Sequence, residues 1–253
     1  MTERAELYRR LPRQEDDAWW LELARASPDG RVLELGAGTG RLTSALLAGG
    51  ARVTAVDHDA AMLDALRTAH AGSDLEVVEA DVAALPDGPR VGLVALPASL
   101  LNELPDAAAR RAALAGAARR CRPDGSVAIH LLAPWWLVGL TGRSSGRLLP
   151  ADGTAPVEVT IDAGSFEPWT ARRRAALSYR FADGTVLVDQ LDAAVVTPGE
   201  LELAIGAAGL ELVAAHGSIP PAPIGEDDVA WHLLLRPADR PSSAASARRS
   251  RRA

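Results

Sequence analysis

The stretch VLELGAGTGRLT, residues 32–43, joins an apolar strand pattern to the start of a helix through three glycines. Gly36, Gly38 and Gly40 interrupt a segment in which glycine weakens both strand and helix. A bare turn between a strand and a helix leaves backbone N–H groups open at the carboxyl edge of a parallel sheet. We therefore expect a ligand, nucleotide-like in character, to approach this turn closely.

Short apolar runs alternate with helical segments on both sides of this turn, and no internal repeat is visible. Helices between such strands require right-handed crossovers, so the pattern predicts a parallel sheet covered on both faces. The first five strands are predicted at 31–35, 51–57, 75–81, 91–97 and 126–132.

The alternation of strands and helices stops after Ala133. The sequence then predicts three antiparallel strands at 157–161, 171–181 and 185–196. A helix with Thr197 as its N-cap is predicted at 197–210, followed by strands at 210–217 and 230–237. The predicted fold is therefore α/β, a Rossmann-like, doubly wound seven-stranded sheet. A small antiparallel β insertion lies between strand 5 and the last helix.

Composition and charge limit which partners and which cellular location we expect. The net charge is −6, although residues 236–253 carry six arginines against one aspartate, so the rest of the chain is strongly acidic. Nucleic acid is not an expected partner, because phosphates demand basic surface. No apolar run approaches the roughly 20 residues of a membrane span, and the N-terminus lacks a signal pattern. With Cys121 the only cysteine, a reducing, cytoplasmic location is expected and disulfides within the chain are excluded.

The residues around the glycines distinguish between ligand classes. The dinucleotide fingerprint GxGxxG would require glycine where the chain has Arg41, and the absence of lysine excludes a P-loop. Acidic Glu34 stands two residues before the first glycine. Asp57 ends the second strand, where a carboxylate can accept hydrogen bonds from both hydroxyls of a ribose. Asp81 ends the third strand, where an adenine amino group can be bound.

Five segments in register resemble the motifs of the class I S-adenosylmethionine-dependent methyltransferases. They are LELGAGTGRLT, VTAVDHDAAML, VEADVAALP, LVALPASLLNEL and CRPDGSVAIHLL, and their order and spacing agree from residue 31 to residue 132. The resemblance implies S-adenosyl-L-methionine as cofactor and transfer of its methyl group by in-line displacement.

The same resemblance implies roles for residues near the turn. Asp57 would bind the ribose, Asp81 with Val82 would hold the adenine, and Met62 would pack on the adenine face or belong to the core. The implied cofactor-binding residues are Glu34, Gly36, Ala37, Gly38, Gly40, Asp57, His58, Met62, Asp81, Val82 and Leu96.

The acceptor side offers fewer signals. His130, near the carboxyl end of strand 5, is the candidate general base, because imidazole titrates in the working range; the alternative is a hydrogen-bonded core histidine. Candidate substrate contacts are Tyr8, Ser99, Glu103, Trp135 and Trp136. Glu103 would attract a cationic amine or cap the next helix, and the tryptophans would line a pocket or bury the insertion. Tyr8 and Arg13 fall in a segment that often caps this cofactor.

Five segments follow from this reading. They are an N-terminal helical cap (1–30), a cofactor-binding core (31–132), the antiparallel insertion on the acceptor side (133–196), the C-terminal part of the core sheet (197–237) and a disordered basic tail (238–253).

The leading interpretation is a methyltransferase acting on nitrogen or oxygen of a small metabolite. The alternatives are a methyltransferase for a macromolecule and a non-catalytic subunit that binds S-adenosylmethionine. No metal site is expected, because His and Cys clusters with ligand spacing are missing. The sequence leaves open whether the chain forms a homodimer.

Overall fold

The computed structural model describes residues 2–11, 16–149 and 155–238. The helices are α1 (Glu3–Arg10), α2 (Asp17–Ala26), α3 (Arg41–Ala48), α4 (Ala60–Ala69), α5 (Leu100–Glu103), α6 (Ala107–Arg120), α7 (Pro134–Gly139) and α8 (Pro198–Ala207), with a 3₁₀ turn at Val82–Ala84. The strands are β1 (Arg31–Leu35), β2 (Arg52–Asp57), β3 (Leu75–Glu79), β4 (Val91–Leu96), β5 (Cys121–Leu132), β6 (Arg143–Leu148), β7 (Val157–Glu167), β8 (Arg172–Arg180), β9 (Val186–Ala194), β10 (Leu210–His216) and β11 (Ala230–Pro237). Arg13 and the predicted basic tail beyond Ala238 lie outside the described residues.

Seven strands form the central sheet, in the order β10-β11-β5-β4-β1-β2-β3. Parallel ladders join β1 to β2 and to β4, β2 to β3, and β4 to β5. Strand β11 runs antiparallel to both of its neighbours, β5 and β10. The predicted Rossmann-like, doubly wound sheet is confirmed.

The central sheet is buried on both faces. Successive residues of β1 belong to different core clusters: Val32 packs with side chains of α2, α3 and α4, whereas Leu33 packs with side chains of α5, α6 and α8. All six residues of β4 are buried, as expected for a parallel strand in the middle of such a sheet. None of the described helices is long and apolar enough to cross a membrane.

A second, antiparallel sheet follows α7, with the strand order β6-β7-β8-β9. The sequence pattern predicted three of these strands and missed β6, whose residues are RSSGRL. Five of the six residues of β6 are exposed, so this strand lacks the apolar alternation that marks a half-buried strand. The insertion is therefore a four-stranded sheet.

Helix α1 packs against this second sheet. Leu7 is fully buried in a cluster with Val157 and Phe181. The Tyr8 hydroxyl donates to Asp189 Oδ2 at 3.1 Å, and the short helix thus presents its residues to β9.

Asn102 connects the two sheets. Its side chain is completely buried, its Oδ1 accepts from the Leu132 N–H at 2.9 Å, and its Nδ2 donates to the Ala194 carbonyl at 2.9 Å. Leu132 ends β5 of the central sheet, and Ala194 ends β9 of the second sheet. One amide therefore satisfies buried backbone groups of both layers.

We expect Asn102→Ala to lower the free energy of unfolding by about 2–4 kcal/mol, because it leaves buried backbone groups without partners. Urea denaturation followed by circular dichroism measures the change. Ser144→Ala, at an exposed position of β6, is the control and should stay within about 0.5 kcal/mol of the wild type. A loss below 1 kcal/mol for Asn102→Ala would contradict this role.

Candidate active site

The turn between β1 and α3 is held by backbone hydrogen bonds and by glycine conformation. The N–H groups of Gly36 and Ala37 donate to the Val56 carbonyl at 2.8 and 3.0 Å. Gly36 has a φ of +73°, and a Cβ there would lie 2.9 Å from Leu100 Cδ1. A side chain at Gly36 is therefore opposed by the backbone conformation and by its neighbour.

Gly38 faces open space. Its φ is +56°, and no heavy atom lies within 4 Å of the position that a Cβ would take. Its N–H donates to Asp57 Oδ2 at 2.8 Å, and the Asp59 N–H donates to Asp57 Oδ1 at 2.9 Å. These two bonds hold the carboxylate at the end of β2 beside the turn.

Glu34 lies beneath the turn, with its side chain almost entirely buried. The Thr43 hydroxyl donates to Glu34 Oε2 at 2.6 Å. Burial raises the pKa of Glu34 to about 7, although the hydrogen bond from Thr43 and the nearby Arg41 oppose the rise. Glu34 is therefore a carboxyl group that changes its charge near neutral pH.

The next strand end contributes Asp81 and Val82. Asp81 Oδ1 accepts from the Ala83 N–H at 2.8 Å and caps the 3₁₀ turn, while Val82 is buried. Met62, on the first turn of α4, is also buried. The N-cap of this helix is Asp59, whose carboxylate accepts from the N–H groups of Ala61 and Met62.

One cavity of about 690 Å³ brings most of these groups together, a volume in the usual range for small-molecule sites. The predicted cofactor-binding residues that line it are Glu34, Gly36, Ala37, Gly38, Asp57, His58, Met62, Asp81 and Val82. The predicted substrate contacts that line it are Tyr8 and Glu103.

The remaining predicted residues are not part of this lining, namely Gly40, Leu96, Ser99, His130, Trp135 and Trp136. The Trp135 side chain is 56% exposed, and Trp136 packs against the cluster that contains Leu137 and Ala193. Trp136 thus packs at the junction with the second sheet, one of the two alternatives that the sequence left open.

His130 lies in β5 and is not part of the cavity lining. Its Nδ1 accepts from the Ser99 N–H at 3.2 Å, and its ring meets the ring of His232 edge-on at a centroid distance of 5.0 Å. Burial lowers the pKa of His130 to about 4, although Asp16 opposes that shift. The imidazole is therefore neutral at pH 7, and the role of His130 as a general base stays a prediction without support from this position.

The second sheet supplies cavity residues that the sequence analysis missed. They are Arg172 and Leu177 of β8 and Asp189, Gln190, Leu191 and Asp192 of β9, together with Arg4 of α1. The available signal was the run VLVDQLD in β9, where two acidic residues interrupt an apolar strand. Nothing local indicates that this strand faces the Gly-rich turn.

The cavity lining is strongly acidic. It carries seven carboxyl groups (Glu34, Asp57, Asp59, Asp81, Glu103, Asp189 and Asp192) against three guanidinium groups (Arg4, Arg41 and Arg172). Arg41 is itself paired with Asp16 and Asp17. Cationic ligands are therefore favoured here over anionic ones. Among the described residues, no group of three or more His, Cys, Asp or Glu side chains is placed to hold a metal ion.

Known proteins that resemble this chain are methyltransferases. A family model for a methyltransferase domain matches residues 32–125. The cypemycin N-terminal methyltransferase of a Streptomyces species is 30% identical over 195 residues, which cover 75% of this chain and 76% of the relative. Ribosomal RNA small subunit methyltransferase A of Anaeromyxobacter is 40% identical over 105 residues, but the match covers only 31% of that protein.

Solved structures extend the likeness over nearly the whole chain. The CcbJ methyltransferase of Streptomyces caelestis superposes with a TM-score of 0.74 and 25% identity, covering 92% of this chain and 96% of its own. The S-adenosylmethionine-bound amino pentose methyltransferase CalS10 of Micromonospora echinaspora has the same fold, with a TM-score of 0.68, 18% identity and coverage of 92% and 95%. The resemblance in the motifs is confirmed: the chain belongs to the S-adenosylmethionine-dependent methyltransferases.

Proposed function

We propose that this enzyme methylates a nitrogen of a small amine. The main support is the acidic lining of the cavity. It favours a cation next to α5 and β9 as well as beside the turn between β1 and α3. Glu103 and Asp189 lie on α5 and β9, apart from the acids around Gly38. The name of the cypemycin relative, which places its methylation at an N-terminus, agrees with an amine acceptor.

The cofactor half of the cavity has the chemistry that S-adenosylmethionine requires. We assign the ribose hydroxyls to Asp57, whose two carboxylate oxygens are already oriented by backbone N–H groups. We assign the adenine to Asp81 and Val82, with Met62 against its face. The bare Gly38 leaves space for the methionine part of the cofactor, since a Cβ there would project into the open cavity.

We call the part of the cavity lined by α1, α5 and the second sheet the acceptor half, and the part around the turn between β1 and α3 the cofactor half. In this proposal residues 31–132 hold the cofactor, while segment 1–30, through α1, and insertion 133–196, through β8 and β9, cover the acceptor. Leu177 and Leu191 provide apolar wall, and Tyr8, Glu103 and Asp189 provide polar contacts. A cavity of this size can hold a small molecule or the terminus of a peptide chain.

When bound, the cofactor supplies a methyl group activated on its sulfonium. The lone pair of the acceptor nitrogen would form the new N–C bond while the C–S electron pair returns to sulfur, and S-adenosylhomocysteine would leave. The protein's part is to hold the nitrogen in line, exclude water and accept the proton that the amine loses. Carboxylates such as Glu103 and Asp189 can pass that proton to solvent, so His130 is not needed as a base.

We expect Asp57→Asn to weaken S-adenosylmethionine binding at least tenfold, because a neutral amide loses charge-assisted hydrogen bonds to the ribose. Isothermal titration calorimetry measures the affinity. Asp64→Asn, an exposed change on α4 outside the cavity lining, should bind like the wild type. Equal affinities for the two variants would contradict the assignment of Asp57.

We expect purified enzyme with S-adenosylmethionine to release S-adenosylhomocysteine with small amines and not with the matching alcohols. Primary and secondary amines and their hydroxyl analogues, supplied as a panel, test this, with mass spectrometry locating the methyl group. Transfer to alcohols alone, or to RNA alone, would overturn the amine proposal.

Glu34 gives a pH prediction. Because the pKa of Glu34 is about 7 in the ligand-free protein, its carboxyl is mostly protonated at pH 6. A cationic ligand in the cavity stabilises the ionised form and lowers that pKa, so cofactor binding should release a measurable fraction of a proton at pH 6 and little at pH 9. Calorimetry in buffers of different ionisation enthalpy measures the release. Glu34→Gln should abolish it, and an unchanged release would exclude Glu34 as its source.

A further inference from the structure

Arg4 lies in the acceptor half of the cavity, beyond hydrogen-bond distance from the two carboxylates beside it. Its Nη2 lies 3.7 Å from Glu103 Oε2 and its Nε lies 3.8 Å from Asp189 Oδ1, both longer than a hydrogen bond. The Arg4 side chain is 48% exposed, and its guanidinium makes a cation–π contact with the Tyr8 ring at 5.4 Å from the ring centroid. Ion pairs of this exposed kind contribute little to stability.

Arg172 provides the contrast, since this second arginine in the acceptor half is firmly bound. Its Nε donates to Asp192 Oδ1 at 2.7 Å, its Nη2 to the Asp192 carbonyl at 2.7 Å, and its Nη1 to the Leu104 carbonyl at 2.9 Å. These bonds connect β8, β9 and the end of α5. Arg172 and Asp192 are therefore committed to the fold, whereas Arg4 can leave its position.

Asp189, unlike Arg4, is held in place. Its side chain is only 13% exposed, and its Oδ2 accepts the hydrogen bond from the Tyr8 hydroxyl. Burial, together with the charges of Asp189 and Glu103, raises the pKa of Tyr8, so the phenol remains a donor at neutral pH. The cavity thus contains a fixed carboxylate whose partner cation is exchangeable.

We propose that Arg4 determines acceptor specificity: its guanidinium occupies the subsite between Glu103 and Asp189 that the protonated amine of the acceptor takes when it binds. This inference rests on the proposed function and names the residues that select the amine. An acceptor without a cationic group cannot replace the charge of Arg4 between the two carboxylates, and a cationic one can.

The position of Arg4 in the fold also allows an acceptor to displace its side chain. The residue lies in the first turn of α1, and its exposed side chain can turn toward solvent without disturbing the buried Leu7. The incoming ammonium then meets Asp189 and Glu103 directly. Loss of its proton to either carboxylate leaves a neutral amine beside the cofactor half of the cavity.

The test uses butylammonium, from butylamine hydrochloride at pH 7, titrated into enzyme saturated with S-adenosylhomocysteine. We expect Arg4→Ala to bind it at least fivefold more tightly than the wild type, because the competing guanidinium is gone. Arg4→Lys, which keeps a cation, should bind it like the wild type. In Arg4→Ala/Asp189→Asn the gain should disappear, and 1-butanol should distinguish none of the variants.

Butylammonium binding to Arg4→Ala that is equal to or weaker than the wild type would overturn the proposal. The same holds for an equal gain with 1-butanol, which would indicate added space instead of a vacated cation subsite. The cofactor affinity of each variant shows that it is folded. A gain in butylammonium affinity without methylation of any amine would overturn the proposed function while leaving the subsite intact, so the two failures are distinguishable.

Discussion

The hydrogen bond from the Gly38 N–H to the Asp57 carboxylate is the contact on which the geometry of the cavity depends. It joins the turn after β1 to the end of β2, two strands that already pair in parallel. The backbone at Gly38 must expose its N–H in a left-handed conformation, which explains why glycine is required there. Because the bond also orients Asp57, the same feature that shapes the turn prepares the carboxylate for a ligand.

Much of the central sheet could be predicted because its signals are local. Strand, bare turn and helix follow one another within residues 31–48, and parallel strands bring their carboxyl ends to one edge. Asp57 and Asp81 could therefore be placed at that edge from strand ends alone. The predicted cofactor contacts Gly40 and Leu96 follow the same motifs but lie outside the cavity lining. A motif locates a segment of backbone more reliably than it locates each side chain.

The acceptor half could not be predicted in the same way. Asp189 meets Tyr8 across 181 residues of sequence, and no periodic pattern records a contact of that range. The surroundings of His130 were equally hidden from the sequence. Its position near a strand end predicted a place at the crevice, and in the structure its Nδ1 accepts from the Ser99 N–H while its ring packs on His232. Which face of a strand a polar residue occupies depends on packing with distant elements.

The polar strand β6 has a consequence for how this protein behaves at high concentration. It is an edge of the second sheet, so one row of its backbone N–H and C=O groups faces away from β7. Arg143 and Arg147 flank Ser144, Ser145 and Gly146 on this edge, and the strand presents almost no apolar surface. Charged, apolar-poor edges discourage pairing with another chain. The same composition that hides β6 from sequence patterns therefore protects the open sheet against aggregation.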